Sequence, residues 1–441
     1  MDNQLNPQLK ALIDQAFSQP INPPKKTWFY HLGLLLVAAI MILLPVIYFL
    51  FVAGAGYGVY YYATHFHTLI TDEHINARAS LVMYFGPLII GGVLVIFLLL
   101  PFIPRRRPKE VILREVDPAR EPLFVYFVHK VCDSVGAPRP RQINLLMEPN
   151  AYAGFRRGWL SFLSNDMRLA VGLPLISGLT IQQLAGVLAH EFGHFRQGGG
   201  MRLHYIIETI HGWFAQCVYG GGWIEEKLAQ ASEIRIGYVT IVVWLAHLVV
   251  WLTRWVMWGF LMAGSAISLF LSRQMEYDAD QCEILVGGSR DFEATMYAIE
   301  TMSGAFRRTY YMHQVSWDKR VVVSDLPALT KVEARDLLAE KKDEIIKSIL
   351  TDNTRLWDTH PSPRDRITRA RLQNEAGICR IEAKSKTLFT DYALLCKELT
   401  WTFFEDFFVT DEAGKTIQNV DEFRTFFKQH EPEVLARQAG V

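Results

Sequence analysis

The sequence predicts a mainly α-helical fold with a small β-sheet, in which integral membrane helices accompany a compact soluble core. Three observations carry this. Two long runs near the N-terminus hold no charged residue; the chain from Glu110 onward has the mixed composition of a soluble domain; and one capped, amphipathic helix within it carries two histidines four residues apart. With 441 residues the chain exceeds one small core, so two or more structural units are expected. Half the residues are hydrophobic, with 11 Trp, 17 Tyr and 27 Phe, which points to a membrane. The 45 basic and 45 acidic residues cancel, and no basic patch is interleaved with aromatics, so nucleic acid is not an expected partner. Cys132, Cys217, Cys282, Cys379 and Cys396 are odd in number and scattered, without a CxxC. That argues against a disulfide framework or a Cys-ligated zinc, and for a reducing compartment.

Residues 1–27 are polar, carry "PPKK" near their end, and are expected to form a cytoplasmic N-terminal segment. A transmembrane hairpin of two spans follows over 28–104. From Trp28 to Thr64 no residue is charged, and Leu32 to Ala53 supplies the roughly 20 apolar residues a crossing needs. Pro45 predicts a kink, and Tyr57 to Tyr62 an interfacial position. The run is too long and starts too late for a cleavable signal peptide. The second span runs from Leu81 to about Ile103. Lys25 and Lys26 precede the first span, Arg105 to Arg107 follow the second, and the loop between carries only Arg78. The excess of basic residues puts both ends of the hairpin in the cytoplasm, and the chain as a multi-pass protein of the cell (inner) membrane.

Residues 105–376 read as the soluble domain. "REPLFVYFVHKVCDSVG" predicts a helix with Pro122 at its first position and Gly136 just past its end. "QINLLM" and "MRLAVG" predict short strands. Thr180 and Gln183 fit a capping box at the start of a helix whose apolar stripe includes Leu184, Val187 and Leu188. Gly198 to Gly200 should stop it. A polar helix is expected at about Lys331 to Leu350, and a helical extension of unassigned role over 377–441.

The capped helix carries His190, Glu191 and His194. Residues four apart share one helix face, so two imidazoles at that spacing can grip one cation. A glutamate directly after the first histidine points toward the open side of the metal and can take a proton from water bound there. This is the HExxH arrangement of zinc peptidases, where zinc lowers the pKa of bound water toward ~7. The bland alternative is two surface histidines on a soluble helix. One Zn²⁺ per chain needs a third protein ligand. A histidine six residues after the second would supply it in one known solution, but Gly200 stands there. The gluzincin solution takes a glutamate from a later helix, and "SRQMEYDAD" offers Glu276. Asp280, one turn on, could accept the other ring N–H of His190 and fix its tautomer.

"VLAHEFGH", "SRQMEYDAD" and "THPSPRDRI" together resemble the HtpX-like and CAAX-prenyl-protease family, metallopeptidase family forty-eight. The resemblance covers roughly residues 110–375 and the preceding hairpin. It implies a gluzincin-type zinc peptidase core coupled to membrane helices, with zinc on His190, His194 and Glu276, Glu191 as general base, and Asp280 behind His190. It implies that His360 donates a hydrogen bond to the tetrahedral oxyanion, with Arg366 nearby. "EPNAYAG" is similar to the family's edge segment, so Asn150, Ala151 and Tyr152 would hold substrate as an added strand.

Glu276 must meet His190 on one side of the bilayer, so the chain between them crosses zero or two times. The apolar region at about 236–272 is broken by one charge, Arg254, among Trp251, Trp255 and Trp258. Its halves, each about 27 Å long as a helix, leave two readings: a short helical hairpin with Arg254 snorkelling at the far interface, which is favoured, or a long apolar helix pair lying shallowly or packed against the first two spans. The expected activity is that of a zinc metalloendopeptidase with a cytoplasmic active site. It would cut membrane or membrane-proximal polypeptides, in the manner of quality control. A processing peptidase for lipidated C-termini is the alternative within the class, and a non-catalytic scaffold with a retained metal site the alternative outside it. A transporter is disfavoured because the spans hold almost no ionisable groups.

Overall fold

The computed structural model describes residues 6–23, 27–70, 76–102, 113–156, 166–196, 199–219, 237–317, 319–355, 358, 360–408 and 416–438. The basic flanks Lys25, Lys26 and Arg105 to Arg107, and Gly198, lie outside these residues. The chain divides into two compact units, one of Met1–Lys25, Glu110–Met201 and Arg273–Val441, the other of Lys26–Lys109 and Arg202–Ser272.

In the first unit a four-stranded sheet has the order β1-β2-β4-β3: Arg114–Glu115, Gln142–Leu146, Met167–Gly172 and Ala151–Phe155. β2 and β4 are parallel and the other pairs antiparallel, which leaves β3 at an edge. Helix α1 (Pro7–Ala16) lies against α4 (Pro122–Val135), which buries Phe124, Phe127, Val128 and Val131. Pro122 opens α4 where its missing N–H costs nothing, and Gly136 closes it at φ 77°, a left-handed conformation that favours glycine. Helix α6 (Ile181–Arg196), after the short α5 (Leu173–Gly178), starts with the capping box: Thr180 N–H donates to Gln183 Oε1 at 3.0 Å, and Gln183 N–H to Thr180 Oγ1 at 3.2 Å. Its stripe of Leu184, Ala185, Leu188, Ala189 and Phe192 is fully buried.

Three further helices complete the core: α9 (Ser289–Trp317), α10 (Leu326–Thr351) and α11 (Pro363–Gln373). The C-terminal residues belong to the same unit. Helices α12 (Tyr392–Phe408) and α13 (Val420–Gln438) bring Phe404 and Phe423 against the ring of His313, and β6 (Thr416–Gln418) pairs with β5 (Val321–Val323).

The second unit contains α2 (Trp28–His65), α3 (Ala77–Leu99), α7 (Gly199–Tyr219, from Arg202) and the first part of α8 (Gly237–Gly287). Tyr48 on α2 packs its ring against Trp213 and Phe260 and donates its hydroxyl to Leu98 O at 2.7 Å. Among the described residues three helices are long and apolar enough to cross a membrane: Trp28–His65, Ala77–Phe102 and Ala246–Gly287. Their outward faces are apolar; Leu36, Leu50, Val82 and Ile89 are exposed, as lipid contact requires.

The hairpin expected over 236–272 is not formed. Gly237–Gly287 is one helix of 51 residues. No glycine or proline lies within four residues of Arg254, so nothing interrupts the i→i−4 ladder there. Along this helix Thr253, Met257, Leu261, Ser265, Ser268 and Ser272 form one buried stripe, while Trp251, Trp255 and Trp258 are exposed. The serine hydroxyls of Ser265 and Ser268 donate back to the carbonyls of Leu261 and Gly264, at 2.8 and 2.9 Å. Helix α7 was not expected from the sequence.

Candidate metal centre

Helix α6 presents His190 and His194 one turn apart, with ring centroids 5.0 Å apart and planes at 86°. The later part of α8 brings Glu276 to them: Oε2 lies 3.6 Å from His190 Nε2, and Oε1 lies 3.8 Å from His194 Nε2. One ligand atom from each of the three residues falls within 4.8 Å of the others. Ligands around a tetrahedral zinc stand about 3.4 Å apart at ordinary bond lengths, so donor type and spacing both fit such an ion.

Glycines permit this approach of α6 to α8. A Cβ on Gly193 would stand 3.1 Å from Ala279 Cα and 3.2 Å from Cys282 Cβ, and one on Gly186 would stand 3.2 Å from Glu283 Cγ. Asp280 Oδ1 lies 3.1 Å from His190 Nδ1, which leaves Nε2 facing Glu276. Asp280 is in turn clasped by Arg366, whose Nε donates to Oδ2 at 2.9 Å and to Oδ1 at 3.1 Å, with Nη2 also on Oδ1. Burial pulls the His190 pKa down, but the hydrogen bond to Asp280 and the charge of Glu276 outweigh it, and the imidazole is pushed up to about 9. A cation on Nε2 would displace that proton.

Glu191 Oε2 accepts the backbone N–H of Ala153 at 3.0 Å. Burial raises its pKa, against the opposing pull of His190 and of this N–H. Ala153 belongs to the edge strand. Gly172 N–H bonds Asn150 O, and Arg156 N–H bonds Asp166 O. By the alternation of an antiparallel ladder, Tyr152 and Gly154 face β4, whereas Ala151 and Ala153 turn their backbone groups to the open edge. His360 Nδ1 stands 3.1 Å from Glu276 Oε1, with its side chain 71% exposed.

Two residues of this cluster, Arg366 and Glu283, have no role that the sequence alone assigns. Glu283 Oε2 lies 3.6 Å from His190 Nδ1. Its spacing from Glu276 and Asp280 places it on the same helix face, a signal the sequence did contain.

Two imidazoles from one helix and a carboxylate from another, with the Glu191 carboxyl alongside, define a candidate metallohydrolase centre. Comparison with known proteins agrees in class. The sequence model of Peptidase family M48 matches residues 119–374, more than half the chain, and the chain belongs to this family. It is similar to a protein of Bordetella pertussis named Protease HtpX homolog, 28% identical over 188 residues, or 40% of this chain and 57% of that one. A protein of the same name from Bordetella petrii is 27% identical over 199 residues, covering 43% of this chain and 61% of its own. The match thus spans less than two thirds of the length of these relatives. No solved structure gives a significant match.

Proposed function

We propose that the protein is a membrane-anchored zinc endopeptidase, with one Zn²⁺ held by His190, His194 and Glu276. The observation that carries this is the convergence of these three donors beside Glu191 and an open strand edge. Zinc bound there supplies Lewis acidity toward a peptide carbonyl and acidifies water. The chain's own groups do the rest. Asp280, anchored by Arg366, holds the Nδ1 proton of His190 and so keeps Nε2 available. A substrate segment lies as an added strand along Asn150, Ala151 and Tyr152, and its backbone competes for the Ala153 N–H that Glu191 accepts. Glu191, once released, takes a proton from the attacking water and passes it to the leaving amine. His360 donates to the oxygen on which negative charge develops.

The substrates proposed are membrane proteins or polypeptides near the membrane, cut in the course of quality control. The basic residues flanking the first two spans favour an inner-membrane protein whose active site faces the cytoplasm.

The test is proteolysis of a casein-like or membrane-protein substrate by the full chain in detergent, wild type beside Glu191→Gln, with zinc measured in both. The variant should keep zinc and lose cleavage. Cleavage that survives in Glu191→Gln would refute the role given to Glu191.

A further inference from the structure

We propose that Arg273 is a positioning residue for His360: its guanidinium, donating to two carbonyl oxygens of the turn before His360, sets where that imidazole stands beside the metal donors. The proposal rests on the peptidase reading above and on the place it gives His360. That ring needs a hold from outside itself. Its side chain is 71% exposed, and an open groove of about 540 Å³ runs along Arg355, Asp358, His360 and Ser362. Side-chain packing alone does not fix such a ring. Its placement, with Nδ1 3.1 Å from Glu276 Oε1, depends on the backbone to either side.

Both sides are pinned. After His360, Pro361 and Ser362 are buried. Ser362 N–H donates to Thr354 Oγ1 at 2.8 Å, and Ser362 Oγ caps α11 by accepting Asp365 N–H at 3.3 Å. Before His360, Arg355 and Asp358 close a turn: Asp358 N–H donates to Arg355 O at 3.2 Å, and Arg355 N–H donates to Asp358 Oδ2 at 2.7 Å. Arg273 spans that turn. Its Nε donates to Asp358 O at 3.0 Å and its Nη2 to Arg355 O at 2.6 Å. A planar guanidinium holds two acceptors in one fixed geometry, which an ammonium on a flexible stem does not. Arg273 stands on α8 three residues before Glu276, so the two share a helix face. The helix that supplies the carboxylate donor thus also carries the clamp on the turn before His360. Donor and imidazole keep their spacing because one rigid element sets both.

The test uses zinc-loaded full chain in detergent, an internally quenched peptide, and a phosphinic peptide that mimics the tetrahedral oxyanion. Wild type is set beside Arg273→Gln, His360→Ala and the double variant. His360→Ala should lower kcat about 100-fold or more. Arg273→Gln should lower it about tenfold or more, with KM and zinc content close to wild type. The double variant should be no slower than His360→Ala, because a clamp has no effect once the group it places is gone. The Kd of the phosphinic peptide should rise in the same pattern. Wild-type kcat in Arg273→Gln overturns the proposal, as do losses that multiply in the double variant, or zinc lost from Arg273→Gln. A His360→Ala chain that cleaves like wild type also overturns it, while the peptidase reading stands. Should no peptide be cleaved, the peptidase reading fails, and the phosphinic-peptide cycle still decides the coupling; a chain that binds no phosphinic peptide overturns both. Should Arg273→Gln fail to fold, Arg273→Lys takes its place in the cycle. It keeps the charge and loses the fork, and wild-type kcat in it overturns the proposal.

Discussion

Asp280 Oδ1 lies 3.1 Å from His190 Nδ1, and Arg366 donates to both oxygens of the same carboxylate. This orients the imidazole of His190 before any ion arrives: Nδ1 is spoken for and Nε2 faces Glu276. Asp280→Asn should therefore weaken zinc binding by about 10- to 100-fold while leaving the three donors in place. Competition with a graded series of chelators reads this directly. Unchanged affinity would mean that Asp280 does not orient His190.

Gly193 lies between His190 and His194 on α6 and packs directly against Ala279 and Cys282 of α8. A methyl group there already crowds Ala279 and Cys282, and a longer side chain cannot be absorbed. Gly193→Leu should lower stability by roughly 1–3 kcal/mol and separate Glu276 from the histidines. Thermal unfolding and zinc content, measured together, should both fall. Full zinc retention would show that the helices have room to spare.

Ala153→Pro tests the strand edge. Proline has no N–H, and edge strands tolerate it where that N–H faces outward. Ala153 N–H faces Glu191 and not β4. The variant should fold and bind zinc, yet cleave peptides at least about tenfold more slowly, since a docking hydrogen bond is lost. Wild-type kinetics in this variant would remove the edge from the mechanism.

His313 gives the protein an acid-sensitive core. Its Nδ1 donates to Thr309 O at 2.8 Å and its Nε2 accepts Val323 N–H at 3.4 Å, so the ring is neutral. Burial lowers its pKa to about 4. The unfolded chain, with a pKa near 6.5, binds the proton first as pH falls. Stability is thus unaffected above about 6.5, declines between about 6.5 and 4 by up to about 3 kcal/mol, and levels off below. Chemical denaturation across this range should show that limb in wild type and lose it in His313→Phe.

Much of the frame was legible because its signals are local. The Thr180–Gln183 box, the Pro122 start and Gly136 stop of α4, and both predicted strands correspond to observed bonds and boundaries. The shared face of His190 and His194 was readable because residues four apart fix their own geometry on a helix. What failed was long-range or negative information. A single charge at Arg254 suggested a turn, but a helix stops only where its backbone is interrupted, and Thr253 simply bonds back to Val249 O at 2.9 Å. Arg366 reaches Asp280 from a distant helix, and no periodicity announces that pairing. The same holds for His313 between Phe404 and Phe423, which unites α9 with a C-terminal stretch the sequence left unassigned.

The most direct measurement is the zinc content of the purified full chain in detergent, by elemental mass spectrometry, for wild type, His194→Ala and Glu276→Ala. About one zinc per wild-type chain, and a loss of most of it in each variant that still folds, is the predicted result. A wild-type chain that takes up no zinc, or a folded Glu276→Ala chain that binds it as tightly as wild type, would contradict the account.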